Sequence, residues 1–158
     1  MKHPALEILR VQSGWATFRL ADESGWEEVE ASYLSDCLGD LLVASRVLAE
    51  GWRDARVDAQ DEPGLTRLVF EQSDRELRVQ VIRLPKTFDR SPDASGTLLR
   101  ELRLPLRKFL HSAATEFDRL IRTHSPEELR AAWKFGLPTH ELAALKAAIG
   151  WTSKDSAR

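Results

Sequence analysis

The order of local patterns along this chain predicts an α+β fold: a mainly antiparallel sheet of about six to seven strands, one helix inserted after the N-terminal strands, and two to three C-terminal helices packed on the sheet. Three observations carry the prediction. Period-two apolar runs broken by turn residues occupy 6–31 and 54–84. A helical period interrupts them at about 36–50, and the last third holds a long 3.6-period apolar stripe. Most strand-to-strand links are too short for the crossovers that parallel pairing needs.

Residues 6–12 (LEILRVQ) and 15–22 (WATFRLAD) flank Ser13-Gly14, a two-residue hairpin signal. Glu23-Ser24-Gly25 then turns the chain into WEEVEA at 26–31, a third strand whose glutamates face water or blunt an edge. From Ser35 the period changes, with Leu34, Leu38, Leu41, Leu42, Ser45 and Leu48 on one helical face and Gly51 where a C-terminal cap belongs. Trp52 is placed to fold back on that last turn.

Residues 54–60, 65–73 and 76–84 read as three more strands joined at Glu62-Pro63-Gly64 and Ser73-Asp74-Arg75. In the last of them Leu77, Val79 and Val81 share one face and Arg78 and Gln80 the other. The segment 85–97, with two prolines and Gly96, reads as a surface loop and the most mobile part of the chain. Residues 98–104 read as a strand, because a helix there would carry Pro105 in its interior; Pro105 instead opens the next helix at its first position. That helix presents Leu106, Phe109, Leu110, Ala113, Ala114, Phe117, Leu120 and Ile121 as one stripe. Ser125-Pro126-Glu127-Glu128 is a capping box for a short helix stopped by Gly136, and Thr139 caps a final one. A single domain spans 1–150, and 151–158 is a frayed tail.

A chain of 158 residues, 42% hydrophobic and 30% charged, is long enough to bury a core without covalent staples. Cys37 is its only cysteine, which rules out an internal disulfide framework and suits a cytoplasmic location. No secretory leader core and no apolar run of about 18 residues is present, so no membrane association is expected. The net charge of −2 gives no footprint of a strongly basic nucleic-acid binder, and the cluster Arg100, Arg103, Arg107 and Lys108 lacks interleaved aromatics. The charge is unevenly spread. Residues 1–80 carry 9 Lys/Arg against 16 Asp/Glu, whereas residues 81–158 carry 14 against 9. Either the halves attract each other within the fold, or the acidic half faces a basic partner.

No phosphate-binding glycine loop, nucleophile elbow or local metal-ligand spacing is present, so no catalytic residue, metal site or cofactor is assigned. His3, His111, His124 and His140 are scattered, with His124 at a helix end where a cation is favoured. Cys37 reads as an inert core thiol, the alternative being a thiol activated at a helix start. Asp36 and Asp40 stand four apart at that helix start with Gly39 between them. They read as partners of the helix dipole, of Arg46 or of a residue from elsewhere in the fold, or else as recognition carboxylates. Of the five tryptophans, Trp26 in its glutamate-rich strand is the one placed for a binding surface.

The stretches SYLSDCLGDLLVA, DEPG at 61–64 and ELRVQVIRLP, within residues 15–84, resemble a loose group of uncharacterised bacterial α+β proteins. Some of these look like immunity proteins of polymorphic or contact-dependent toxin systems. The resemblance implies a non-catalytic binding protein that blocks a basic toxin domain through an acidic surface, and it supplies no site residues of its own. The charge pattern nominates Glu23, Trp26, Glu27, Glu28, Glu30, Asp36 and Asp40 as that surface. Two other readings stand beside it: an enzyme whose site is assembled from Asp36, Asp40 and a distant histidine, and a self-associating structural protein that forms a homodimer.

Overall fold

The computed structural model describes residues 3–152 together with 154 and 155. Seven strands and four helices follow in the order β1 (Leu6–Gln12), β2 (Trp15–Asp22), β3 (Gly25–Ser32), α1 (Cys37–Ala49), β4 (Asp54–Gln60), β5 (Leu65–Ser73), β6 (Glu76–Leu84), β7 (Thr97–Pro105), α2 (Leu106–Thr123), α3 (Pro126–Trp133) and α4 (Thr139–Ile149). This is the predicted α+β arrangement. Its strands divide into two antiparallel sheets, one of order β1-β2-β3 and one of order β4-β5-β6-β7. The helix α1 separates them in sequence, which is why hairpin pairing stops at Ser32 and restarts at Asp54.

Alternation decides what each strand buries. In β2, Phe18 and Leu20 enter the core while Arg19 points away; in β6, Leu77, Val79 and Val81 enter it. These side chains join Leu41 and Leu42 of α1 and Phe109 and Phe117 of α2 in one continuous core. Phe70 and Phe109 meet there at 5.4 Å between ring centroids.

The free edge of β1 is closed by side chains rather than by another strand. Ser112, Glu116 and Arg119 lie at i, i+4 and i+7 along α2, on one face. Ser112 Oγ accepts from the Ala5 N–H at 3.2 Å, Glu116 Oε1 accepts from the Ile8 N–H at 2.7 Å, and Arg119 donates to the Ile8 carbonyl at 2.7 Å. Edge groups that would otherwise be open to another chain are thereby satisfied.

Four local expectations change. Pro105 ends β7 and occupies the cap position of α2 instead of its first turn. α3 stops at Trp133 because Lys134 adopts a left-handed φ of 87°, two residues ahead of Gly136. Thr139 is the first residue of α4, whose cap position belongs to Pro138. Trp52 donates its backbone N–H to the Val47 carbonyl at 3.1 Å, yet its residue remains 61% exposed. Trp151 docks on the core side of the chain end, donating to Thr115 Oγ1 at 3.2 Å under the Lys146 ammonium. Of the expected frayed tail, residues 153 and 156–158 lie outside the described residues.

Candidate functional site: the outward face of the N-terminal sheet

The register of β2 against β3 sets Ala21 opposite Trp26, Arg19 opposite Glu28 and Thr17 opposite Glu30. All six side chains belong to the face turned away from the core. Trp26 is 43% exposed there, and Glu28 and Glu30 are exposed beside it. The Arg19 guanidinium lies 4.3 Å from the Trp26 ring centroid and 3.8 Å from the Glu28 carboxylate. This stacking holds the ring in place at the surface. Glu23 is exposed at the β2–β3 turn, and further along the same face a hollow of about 270 Å³ is lined by Arg10, Gln12, Ser13, Trp15, Thr17 and Glu30.

The remaining nominated residues point elsewhere. Glu27 has the opposite parity and pairs with Arg100 of β7 at 3.3 Å. Asp36 caps α1: its Oδ1 accepts the Gly39 N–H at 3.0 Å and the Trp133 indole N–H at 2.8 Å. Gly39 makes this possible, since a Cβ there would stand 2.2 Å from Asp36 Oδ2. Asp40 is exposed one turn on, and its carboxyl is pushed above the usual range by desolvation and by the neighbouring Asp36 and Asp58 carboxylates. Arg46 serves neither aspartate; it binds Glu141 of α4 and, at 2.8 Å, Glu50.

The chemistry expected of an assembled active site does not gather around Asp36 and Asp40. His111 bonds Asp155 at 3.1 Å, His124 Nδ1 lies 3.1 Å from the Leu120 carbonyl, and His140 neighbours Glu141 at 3.5 Å. Among the described residues no group of three or more His, Cys, Asp or Glu is placed to hold a metal ion. Cys37 is fully buried, and burial, followed by Asp40, Asp36 and Asp58, drives its thiol far up, which keeps it protonated.

Ion pairs between the two halves of the chain run in both directions. Among the described residues, Glu27–Arg100, Asp61–Arg83 and Glu76–Arg103 join an acid of the first half to a base of the second. Arg46–Glu141, Arg56–Asp93, Arg67–Asp93 and Arg78–Glu101 run the other way.

Arg19 was the residue that sequence patterning did not single out. Its partners become visible only once the β2–β3 register is known, because one residue of slip would move it to the other face. Comparison with known protein families, with curated proteins and with solved structures finds no match. No helix among the described residues is long and apolar enough to cross a membrane.

Proposed function

We propose that this chain is a non-catalytic protein-binding module that uses the outward face of β1–β3, with Trp26 as anchor and Glu23, Glu28 and Glu30 as its acidic surround, to hold a basic partner. An immunity-type inhibitor that blocks a toxin domain in the bacterial cytoplasm is the specific form suggested by the sequence resemblance. The observation that carries the reading is the Trp26–Arg19–Glu28 stack. A large aromatic ring at the surface, stacked on a guanidinium that has a carboxylate 3.8 Å away, has less side-chain freedom to lose on entering a complex than an unsupported ring. Tryptophan and arginine are the residues most enriched among binding hot spots, and the carboxylates around them favour fast encounter with a cationic surface. Inhibition then needs only occlusion of the partner's own site.

The test is capture from the native cell with the purified full chain as bait, at low and at raised salt, beside Trp26→Ala and Glu28→Lys/Glu30→Lys. The expected result is a basic protein captured by the parent chain, released by salt and lost in both variants. Recovery of the chain's own copies alone would contradict the reading.

A further inference from the structure

The loop between β6 and β7 was expected to be mobile, yet it is tied to the second sheet by an unusual set of bonds. Arg67 projects from the outward face of β5 and is only 8% exposed. Its guanidinium donates to Asp58 at 2.9 Å, to Asp93 at 3.1 Å and to the carbonyls of Asp89 and Ser91, each at 2.9 Å. Thr87 Oγ1 donates to the Asp61 carbonyl at 2.8 Å, and the buried Asp89 carboxylate accepts the Ser91 N–H at 2.9 Å and the Lys86 N–H at 3.3 Å. Gly96 lets the loop lie against the sheet, since a Cβ there would stand 2.5 Å from Ile82 Cγ2.

Within this frame, residues 86–90 alternate. Thr87 and Asp89 turn inward, whereas Lys86, Phe88 and Arg90 are exposed. Phe88 is 56% exposed and carries a φ of +56°, a left-handed conformation that is strained for a bulky side chain. Its N–H is fixed on Gln60 Oε1 at 2.7 Å. Glycine would hold the same backbone without strain. No ion pair within 4 Å holds Lys86 or Arg90 among the described residues. A strained aromatic ring held in water between two exposed cations, Arg90 and, beside the Asp89 carboxylate, Lys86, adds nothing to the core cluster, of which it is not a member.

We propose that Phe88 is a pre-set anchor for a second protein contact, separate from the face that bears Trp26, made to a partner whose surface offers an apolar socket rimmed by carboxylates. The charge of the two flanking residues selects the rim, and the ring selects the socket. A lipid surface takes up an aromatic side chain in any backbone conformation, so a single enforced orientation favours a shaped protein site.

Two measurements on the full chain decide the matter. Thermal unfolding of Phe88→Asn is expected to give a midpoint no lower than the parent's, because asparagine accepts the left-handed conformation without glycine's added unfolded-state entropy and the ring lies outside the core cluster. A lowered midpoint would mean that the ring serves the fold, and would overturn the proposal. The second measurement places the photoreactive analogue p-benzoyl-phenylalanine at position 88, with Trp52 replaced by the same analogue as a control. After irradiation in the native cell, position 88 should give a protein adduct of one mass that position 52 does not give. The crosslinked segment of the partner should carry apolar residues flanked by Asp or Glu. Lys86→Glu with Arg90→Glu should remove at least nine-tenths of the adduct, and Trp26→Ala should leave it unchanged, which separates this contact from the one proposed above. No adduct, an adduct to lipid or to a second copy, persistence in the charge-reversed variant, or loss in Trp26→Ala would each overturn it.

Discussion

On the β1–β3 sheet the outward arginine, Arg19, has a single carboxylate at 3.8 Å and an indole ring for company. On the β4–β7 sheet the outward arginine, Arg67, is enclosed by two carboxylates and two backbone carbonyls at 2.9–3.1 Å. Both sit in the middle of a strand on the face that the core does not use. The difference lies in what surrounds the guanidinium. Fixed backbone acceptors and near-complete burial make Arg67 a structural tie, whereas Arg19 braces a surface ring and leaves its surroundings open to a partner. One outward face is covered by its own chain, and the other carries an exposed aromatic ring.

The sharpest way to break this comparison is to remove each arginine. Arg67→Met leaves Asp58 and the carbonyls of Asp89 and Ser91 without their donor, while Asp93 keeps its pair with Arg56. It is expected to destabilise the protein by about 3 kcal/mol in chemical denaturation, against less than about 1 kcal/mol for Arg19→Met. Equal losses would erase the distinction. Next in size is Gly96→Ala, which forces a Cβ toward Ile82 Cγ2 at 2.5 Å and the Arg83 carbonyl at 2.9 Å. A loss of about 2 kcal/mol is expected, and an unchanged midpoint would show that the loop does not press on the sheet.

Gly39→Ala comes third. Helix propensity gains about 1 kcal/mol, but the Asp36 cap and its bond to Trp133 contribute about 1 kcal/mol each, so a net loss of about 1 kcal/mol is expected. A stabilised variant would show that Asp36 is dispensable to the fold.

The smallest effects concern pH and have opposite signs. Hydrogen bonding from Arg56, reinforced by Arg67, holds the Asp93 carboxyl below its ordinary value of 3.8. Its contribution is therefore present above about pH 4 and lost as pH falls through the depressed value. Asp40 is shifted upward from 3.8, so its ionised form opposes folding. Asp40→Asn should raise the unfolding midpoint at pH 7 and lose that advantage near pH 3, while Asp93→Asn should lower it at pH 7 and lose that penalty at low pH. Parallel pH curves for the two variants would contradict these assignments.

Much of the fold could be read from punctuation. Ser13-Gly14, Gly51 and Asp74-Arg75 mark turns whose chemistry is local, and the strand boundaries around them follow directly. Leu77, Val79 and Val81 disclosed the buried face of β6 because side-chain alternation needs no tertiary information. The division into two sheets, the stacking of Arg19 on Trp26 and the staples on the β6–β7 loop all depend on register or on contacts across many residues. Prolines and small polar residues at 85–97 therefore read as looseness, while the residue that ties them, Arg67, sits inside an apolar run more than twenty positions earlier. Of the six acids nominated by charge, Asp36 shows the same limit: its place at the helix start was legible, but its cap on the Gly39 N–H and its bond to Trp133 were not.

Whether the Trp26 face is a contact surface is tested by calorimetric titration of the captured partner into the parent chain and into Trp26→Ala. Trp26→Ala is expected to retain its unfolding midpoint within the error of the scan and to bind at least about 30-fold more weakly, the loss of a hot-spot side chain worth about 2 kcal/mol. Unchanged affinity in a variant that folds normally would contradict the claim.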